Sequence, residues 1–413
     1  MTGRIWILAN QGEVGGGEVM LHHLATALRE LGRDVGVVAP ARPAETADRL
    51  AADGFDVVRV GGPGRLGYLR ALRAWDRGRG GDDVAWCNGL LPATALRELG
   101  RDVGIVAPAH PAETADRLDA DGFDVVRVGG PGRLGYLRAL RAWDRGRGGD
   151  DVVWCNGLLP ATALAGRPRR IVHLHQVPEK PLLRVFSALA RPGALAVLVP
   201  SRFAANRIRG ARVLHNWVPA PTAPQTRPAR GADDPVTVGF LGRLSEGKGI
   251  VTLLEAAALL RRTDPGAFVF RIAGESRFVA EDEAERLATA LKAAGEDVQV
   301  LGWQDTGEFL TSVDVLAVPS QWAEVFGLVA AEAMAAGVPV VASDAGAVPE
   351  VVGSDHPFVV PQRDAAALAD CLRAVRAVDL GEVAHSQRHR WASLFSPEAG
   401  RAAVAELLDD LSL

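Results

Sequence analysis

Two apolar segments flank a helix of small residues in the last third of the chain. The first segment, Val313–Val318, has the composition of a strand buried on both faces of a parallel sheet. A helix is predicted from Leu328 to about Ala336, because Gly337 supplies a C-terminal cap. The next strand is predicted at Val338–Ala342. A strand, a helix and a strand in this order predict a parallel sheet covered by helices, which is the α/β class.

Two glutamates stand on either side of the predicted start of that helix. Glu324 lies in the loop after the first strand, and Glu332 lies in the second turn of the helix. A helix N-terminus between them favours an anion, because its N–H groups are free and its dipole is positive there. This arrangement suits a nucleotide sugar, with one carboxylate on the ribose diol and the other on the sugar hydroxyls. Two unrelated glutamates of a surface helix are the alternative.

A second turn rich in glycine follows the predicted strand Val236–Leu241. It contains Arg243 and Lys248, and a helix from Ile250 to Leu260 follows it. Cations and glycines at such a turn can bind a pyrophosphate without a metal ion, although a charged surface loop is the alternative. Only three of the 46 basic residues are lysines, which favours a specific need for the compact charge of Lys248.

The predicted first strand, Arg4–Ala9, also runs into glycines before a helix. Gly15 and Gly16 would let the backbone approach a phosphate at that helix N-terminus. The dinucleotide fingerprint is incomplete, because Met20 stands where a third glycine or an alanine is needed. A plain tight turn is the alternative.

These stretches resemble the family-four retaining glycosyltransferases. Glu324, Phe326-Gly327 and Glu332–Ala342 match that family's donor-site signature residue by residue, and Gly242–Gly249 matches its G-R-L…K-G motif. The resemblance implies an α/β GT-B fold, with two doubly wound Rossmann-like domains and an interdomain cleft. It implies transfer of a sugar from a nucleoside diphosphate donor to a small-molecule, glycan or lipid acceptor, with retention of the anomeric configuration.

The same resemblance assigns a role to each candidate residue. Glu332 would hold the ribose diol, and Glu324 would hold the sugar hydroxyls. Two cations of the donor domain, Arg243 and Lys248, would stabilise the diphosphate. The remaining donor-binding positions of that domain are Gly242, Phe326, Gly327 and Leu328. Gly15 and Gly16 would face the donor phosphates, His175 the anomeric centre, and Asn156 the acceptor side. Trp303 would lie at the nucleobase, with plain packing as its alternative.

Residues 25–92 recur as residues 93–160, with four differences over the 68 positions. We interpret this repeat as a tandem duplication inside one domain, because a solenoid needs three or more shorter repeats. Without one copy the chain has 345 residues, which is an ordinary length for the family. We expect copy one to begin beside the first strand and the surplus to lie between about Val84 and Asp151. That surplus would either extend the sheet of the first domain or pack as a small βα appendage away from the cleft. We also expect Asn156, and not its duplicate Asn88, to serve the site.

Each copy contains a basic helix, RLGYLRALRAWDRGRG, with leucines on one face and arginines on the other. This pattern predicts a solvated helix that packs on a sheet. Weak peripheral contact with an anionic membrane is the alternative.

The strand Ile171–His175 ends in His-x-His, which places His173 and His175 on one side. No further ligand residues cluster nearby, so we expect neither a metal ion nor a cofactor. Prolines between Pro219 and Pro235 predict a linker. The expected domains are residues 1–218 on the acceptor side, residues 219–395 for the donor, and a C-terminal helix, residues 396–413, that crosses back to the first domain.

The net charge of −4 gives no electrostatic reason to expect nucleic acid as a partner. The three cysteines have no disulfide or metal spacing, and the N-terminus lacks the long apolar core of a signal peptide. We therefore expect a cytoplasmic protein, with or without peripheral contact at the inner membrane face. Two other functions stay open: a sugar-nucleotide-binding protein without turnover, or a peripheral membrane scaffold.

Overall fold

The computed structural model describes residues 6–8, 37–40, 57–60, 85–87, 103–108, 124–128, 132–146, 152–221, 231, 234–276 and 279–413. The chain divides into two compact units. The first unit comprises Met1–Pro200, Ala204–Leu214 and Gly400–Leu413, and the second comprises Ser201–Phe203 and His215–Ala399.

The first unit contains ten described strands. They are β1 (Trp6–Leu8), β2 (Val37–Pro40), β3 (Val57–Val60), β4 (Ala85–Cys87), β5 (Val103–Pro108), β6 (Asp124–Val128), β7 (Val153–Asn156), β8 (Arg170–His173), β9 (Ala194–Val199) and β10 (Arg212–Val213). Eight form one parallel sheet in the order β10-β9-β8-β7-β1-β4-β5-β6, and β2 pairs with β3 in a sheet of its own. The helices between them are α1 (Gly132–Asp144), α2 (Leu158–Ala163), α3 (Pro181–Ala190) and α4 (Arg202–Ala205).

The second unit has a six-stranded parallel sheet in the order β13-β12-β11-β14-β15-β16. Its strands are β11 (Val236–Leu241), β12 (Phe268–Ala273), β13 (Val298–Gly302), β14 (Val315–Val318), β15 (Val340–Ser343) and β16 (Val359–Val360). Its helices are α5 (Ile250–Thr263), α6 (Glu281–Lys292), α7 (Thr306–Thr311), α8 (Leu328–Ala335), α9 (Val348–Val352), α10 (Ala365–Val375) and α11 (Leu380–Leu394), and α12 (Pro397–Asp410) follows them.

The centre of the second sheet follows directly from apolar composition. All four residues of β14 and all four of β15 are buried, as expected for strands covered by helices on both faces. The helix between them, α8, buries five of its eight residues, four of which are alanines. Small side chains let this helix lie close to the sheet, so the N-terminus of α8 is set next to the end of β14.

The repeat is arranged differently from our prediction. In copy two, β5 pairs with β1 (Trp6 with Gly104, Leu8 with Val106) and β6 pairs with β5. In copy one, the equivalent strands β2 and β3 pair only with each other among the described strands, and β4 pairs with β1, β5 and β7.

The prediction that copy one begins beside β1 is wrong for its first strand, since β5 and not β2 pairs with β1. The strands β5 and β6, which lie in the predicted surplus, extend the sheet. Along the chain, β5, β6, α1 and β7 of copy two come before α2 and β8. Of the strands of copy one, β2 and β3 form a sheet of their own, whereas β4 lies in the sheet of β1.

We expect a chain without residues 25–92 to fold and to be at least as stable as the full chain. This deletion removes β2, β3 and β4 but keeps the pairing of β1 with β5 and β7. Deletion of residues 93–160 gives the same chain except at four positions and is expected to behave alike. Melting temperature and sugar-nucleotide turnover should be compared with those of the full chain.

Deletion of residues 59–92, which removes half a copy, is the matched control and is expected to prevent folding. An insoluble or inactive chain of 345 residues would show that both copies are needed.

The basic helix of copy two is α1, and it packs as the solvated helix that we predicted. Leu140 is fully buried, whereas Arg138 and Arg141 are exposed. Asp144, at the end of the helix, is buried and forms an ion pair with Arg167. Within the described part of the chain, we find no helix with both the length and the apolar character needed to cross a membrane.

Candidate functional site

The turn after β11 packs directly on the loop after β14. Gly249 has a φ of 79° and stands between the 3₁₀ turn Glu246–Lys248 and α5. A Cβ atom at Gly249 would collide with the carbonyl oxygen of Pro319, so only glycine fits there. The N–H of Gln321 donates to the carbonyl oxygen of Gly247 at 2.9 Å. Two predicted parts of the site, the glycine turn and the Glu324 loop, are thereby joined.

Lys248 and Glu324 form an ion pair at this junction. The same carboxylate accepts hydrogen bonds from Ser320 Oγ at 3.0 Å and from Trp322 Nε1 at 2.9 Å. Burial raises the pKa of Glu324, but the Lys248 ammonium group and these hydrogen bonds outweigh burial and hold the pKa below its usual value. The carboxylate is therefore ionised at neutral pH.

The main chain of Glu324 is held from the opposite side by the turn after β15. The N–H of Ala347 donates to the carbonyl oxygen of Glu324 at 2.8 Å. Gly346 has a φ of 63°, and a Cβ atom there would collide with the Glu324 backbone. Both the backbone and the carboxylate of Glu324 are thus fixed before any ligand arrives.

Arg243 follows β11 by two residues and is exposed. Within the described residues, its guanidinium group makes no ion pair and no hydrogen bond. Gly242, with a φ of 142°, has no atom within 4 Å of the place where a Cβ would stand. The end of β11 therefore offers a cation and open space beside Gly242 to an anion.

The N-terminus of α8 carries no side-chain cap. Gly327 precedes the helix with a φ of 98°, and Leu328 is its first residue. The Phe326 side chain is buried and makes edge-to-face contact with Phe395 at 5.3 Å between ring centroids. Any contact of Phe326 with a ligand would therefore come from its backbone, since the ring belongs to the core.

Glu332 lies in the second turn of α8, as predicted. Burial raises the pKa of its carboxyl group to about 7. No side chain or N–H of the described residues donates a hydrogen bond to that carboxyl group. Glu332 is half-buried, and its carboxyl group keeps its capacity to accept hydrogen bonds, which hydroxyl groups of a ligand can use.

The ends of β11, β12 and β13 form a row of closely packed glycine backbone. The N–H of Gly274 donates to Gly302 O at 2.7 Å, and a Cβ at Gly274 would collide with the Gly242 carbonyl oxygen. Trp303 follows directly, and two thirds of its surface is exposed. A large, open indole face at the end of a parallel sheet can stack on a flat ring.

His175 and Asn156 lie together in the first unit. His175 Nε2 hydrogen-bonds Asn156 Oδ1, so Nε2 carries the proton. Burial lowers the pKa of His175 to about 4 and lowers that of His173 well below its usual value, with His175 adding to the second shift. Both imidazoles are therefore neutral at pH 7.

Gly15, Gly16 and Asn88 lie outside the described residues. Among the residues that are described, no three His, Cys, Asp or Glu side chains converge as ligands for a metal ion. Of the candidate residues, the second unit joins Lys248 to Glu324 directly, and the first unit joins His175 to Asn156.

Our sequence analysis missed Trp322 and Ser320. Both donate to Glu324 from within four residues of it. The available signal was a tryptophan in a polar loop two residues before a predicted ligand, where nothing in the pattern required a core residue.

Residues 235–377 match the family described as "Glycosyl transferases group 1". This range contains Lys248, Glu324 and Glu332. It covers about a third of the chain and lies within the second unit.

Two curated relatives illustrate the similarity. The D-inositol 3-phosphate glycosyltransferase of Saccharomonospora viridis is 36% identical over 174 residues, which are 38% of this chain and 40% of that protein. The glycogen synthase of Mycobacterium tuberculosis is 28% identical over 382 residues, which are 88% of this chain and 82% of that protein. The chain thus spans about two fifths of the length of the first of these relatives.

Solved structures resemble nearly the whole chain. HepE of Anabaena, solved in complex with UDP and glucose, has a TM-score of 0.62 and 20% identity, and the match covers 98% of this chain and 99% of HepE. Sucrose-phosphate synthase of Thermosynechococcus elongatus has a TM-score of 0.63 and 23% identity over 78% of this chain and 92% of that protein. With its two α/β units of parallel strands, the chain has the predicted GT-B fold. The resemblance to group 1 glycosyltransferases is that of residues 235–377.

Proposed function

We propose that the protein transfers a sugar from a nucleoside diphosphate sugar to an acceptor, with retention of the anomeric configuration and without a metal ion. The observation that carries this proposal is the Lys248–Glu324 junction, where a cation and an ionised carboxylate lie beside the uncapped N-terminus of α8. A diphosphate and the hydroxyl groups of a sugar need these two kinds of partner side by side.

Each group has a separate task in this proposal. Lys248, Arg243 and the N–H groups at the start of α8 stabilise the charge that develops on the departing diphosphate, so the leaving group needs no proton. Glu324 accepts hydrogen bonds from the sugar hydroxyls, and Glu332 accepts those of the ribose. Trp303 stacks on the nucleobase.

We assign acceptor binding to the first unit. A neutral His175, whose Nε2 donates to Asn156, can accept a hydrogen bond from a hydroxyl group at Nδ1 without adding charge. The acceptor class proposed is a small molecule, a glycan or a lipid headgroup.

The donor is identified by a thermal-shift panel of UDP, ADP and GDP with their glucose and mannose esters. Ligand binding to the native state raises the melting temperature by mass action, so one nucleotide and its sugar ester should stand out. HepE was solved with UDP and glucose, which makes UDP-glucose the first compound to test. A panel without any shift would contradict the proposal.

Turnover of the best donor is then followed by nucleotide release, with retention judged by the anomeric NMR signal of the product. Binding without any release of nucleotide would favour the alternative, a sugar-nucleotide-binding protein without turnover.

We expect EDTA to leave that turnover within about twofold of its value without chelator. The charge of the diphosphate is met by Lys248, Arg243 and backbone dipoles in this proposal, so a divalent ion has no task. The measurement is the initial rate with EDTA and after addition of excess Mg²⁺ or Mn²⁺. A large loss of rate in EDTA that a divalent ion restores would disprove the metal-free mechanism.

A further inference from the structure

Three donors converge on a single oxygen of Glu324. Lys248 Nζ, Ser320 Oγ and Trp322 Nε1 all contact Oε1. No described residue donates to Oε2. An ionised carboxylate has about four acceptor positions on its two oxygens, so the three donors fix its orientation and leave Oε2 with its capacity unused.

Trp322 connects this carboxylate to the turn after β11. The Lys248 ammonium nitrogen lies 5.5 Å from the centroid of the Trp322 ring, which is within the range of a cation–π contact. A Cβ at Gly247 would lie only 2.8 Å from the same ring, so the indole rests directly on that backbone. The side chain nevertheless stays 44% exposed, which separates it from the tryptophans of the core.

A bound diphosphate would compete with Glu324 for the Lys248 ammonium group. As the ammonium group turns to the phosphate oxygens, Glu324 loses its cation and one of its three donors. Trp322 and Ser320 then remain to hold Oε1. Without these two donors the carboxylate could rotate about its terminal side-chain bond, and Oε2 would no longer point in one fixed direction.

We propose that Trp322 is a positioning residue: its indole N–H holds Glu324 Oε1, and its ring face supports Lys248, so that Oε2 receives a hydroxyl group of the donor sugar. This inference rests on the proposed function. It separates two contributions of one side chain, since the N–H serves the sugar and the ring serves the diphosphate.

The experiment is a double-mutant cycle on binding, measured by calorimetry with the best nucleotide and sugar-nucleotide pair of the panel. Trp322→Phe keeps an aromatic ring and removes the N–H. We expect the dissociation constant of the sugar nucleotide to rise by about 5- to 20-fold, because a hydrogen bond to a charged group is lost. The dissociation constant of the nucleotide alone should change by less than about twofold.

In the Glu324→Ala background, Trp322→Phe should have no further effect on the sugar nucleotide, since the partner of the N–H is already absent. Trp322→Ala should also weaken binding of the nucleotide alone by about 2- to 5-fold, because Lys248 loses the ring. The matched control is Trp143→Phe, at a half-buried tryptophan of α1, which should leave both constants unchanged.

A second readout needs no donor. The indole N–H signal of Trp322, assigned by its loss in Trp322→Phe, should shift in the NMR spectrum of unliganded Glu324→Ala. Equal losses for nucleotide and sugar nucleotide, or an effect that persists in Glu324→Ala, would overturn the positioning role while wild-type binding still upholds the proposed function. A wild-type protein that binds no compound of the panel would contradict the proposed function itself.

Discussion

Replacement of Lys248 by alanine is expected to weaken binding of the nucleoside diphosphate by about 10- to 150-fold. A hydrogen bond to a charged group contributes about 1.5–3 kcal/mol, and 1.36 kcal/mol corresponds to a factor of ten. Lys248 is the cation that the ion pair with Glu324 already orients, so its ammonium group is held in place before the diphosphate arrives. Calorimetric titration with the nucleotide alone measures this effect without involving the sugar or the acceptor.

Two variants control for loss of charge and loss of structure. Lys292→Ala removes an exposed lysine at the end of α6 in the same unit and should leave binding unchanged. Lys248→Arg keeps the charge but replaces a compact ammonium group by a planar guanidinium group, and should restore part of the affinity.

Lys248→Ala also leaves the buried Glu324 carboxylate without its cation, so the variant should melt at a lower temperature. If Lys248→Ala binds the nucleotide as tightly as wild type, the diphosphate does not lie at the turn after β11.

The sequence predicted Lys248 and Glu324 as separate contacts but not their ion pair. The two residues are 76 positions apart, and they meet because β11 and β14 are neighbours in the sheet. Strand order across a parallel sheet depends on which crossovers pass which strand, and local composition does not encode it. The strand β11 was predicted with the same bounds that the structure has, because its apolar run ends at a glycine.

The tandem repeat is a second case in which local composition does not encode strand order. Copies that differ at four of 68 positions have nearly the same propensities, so composition cannot decide that β5 of copy two, and not the equivalent β2 of copy one, pairs with β1. The two copies differ in their place along the chain, because β5, β6, α1 and β7 of copy two are the elements that precede α2 and β8. We reasoned from the continuity of the first helix into copy one, whereas the structure pairs β1 with β4 of copy one and with β5 and β7 of copy two.

Glu332 and Glu324 are expected to respond differently to substitution. Glu332→Ala should weaken binding of the nucleotide alone, because it removes the proposed ribose partner. Glu324→Gln should leave nucleotide binding within about twofold and lower turnover, because it affects the sugar. The different positions of the two residues relative to the start of α8 motivate this division. Equal weakening of nucleotide binding by both changes would contradict it.

The raised pKa of Glu332 makes its proposed contact with the ribose dependent on pH. A carboxyl group with a pKa of about 7 is largely protonated at pH 6 and largely ionised at pH 8, and the ionised form is the better acceptor for two ribose hydroxyls. Affinity for the sugar nucleotide should therefore rise from pH 6 to pH 8 in wild type and stay flat in Glu332→Gln. The sugar nucleotide is the proper ligand here, since its doubly esterified diphosphate does not titrate in this range.

Stability of the unliganded protein should change in the opposite direction. Because burial raises the pKa of Glu332 above its unfolded value of 4.5, folding favours the protonated form, and the free energy of unfolding falls as pH rises from about 4.5 to 7. Glu332→Gln is neutral at every pH, so it should melt about 3–8 °C above wild type at pH 8 and close to wild type at pH 5. If Glu332→Gln is more stable than wild type at pH 8 but binds the nucleotide more weakly, Glu332 serves ligand binding at a cost in stability. Equal melting temperatures at both pH values would instead mean that the carboxyl group is not buried in the unliganded protein.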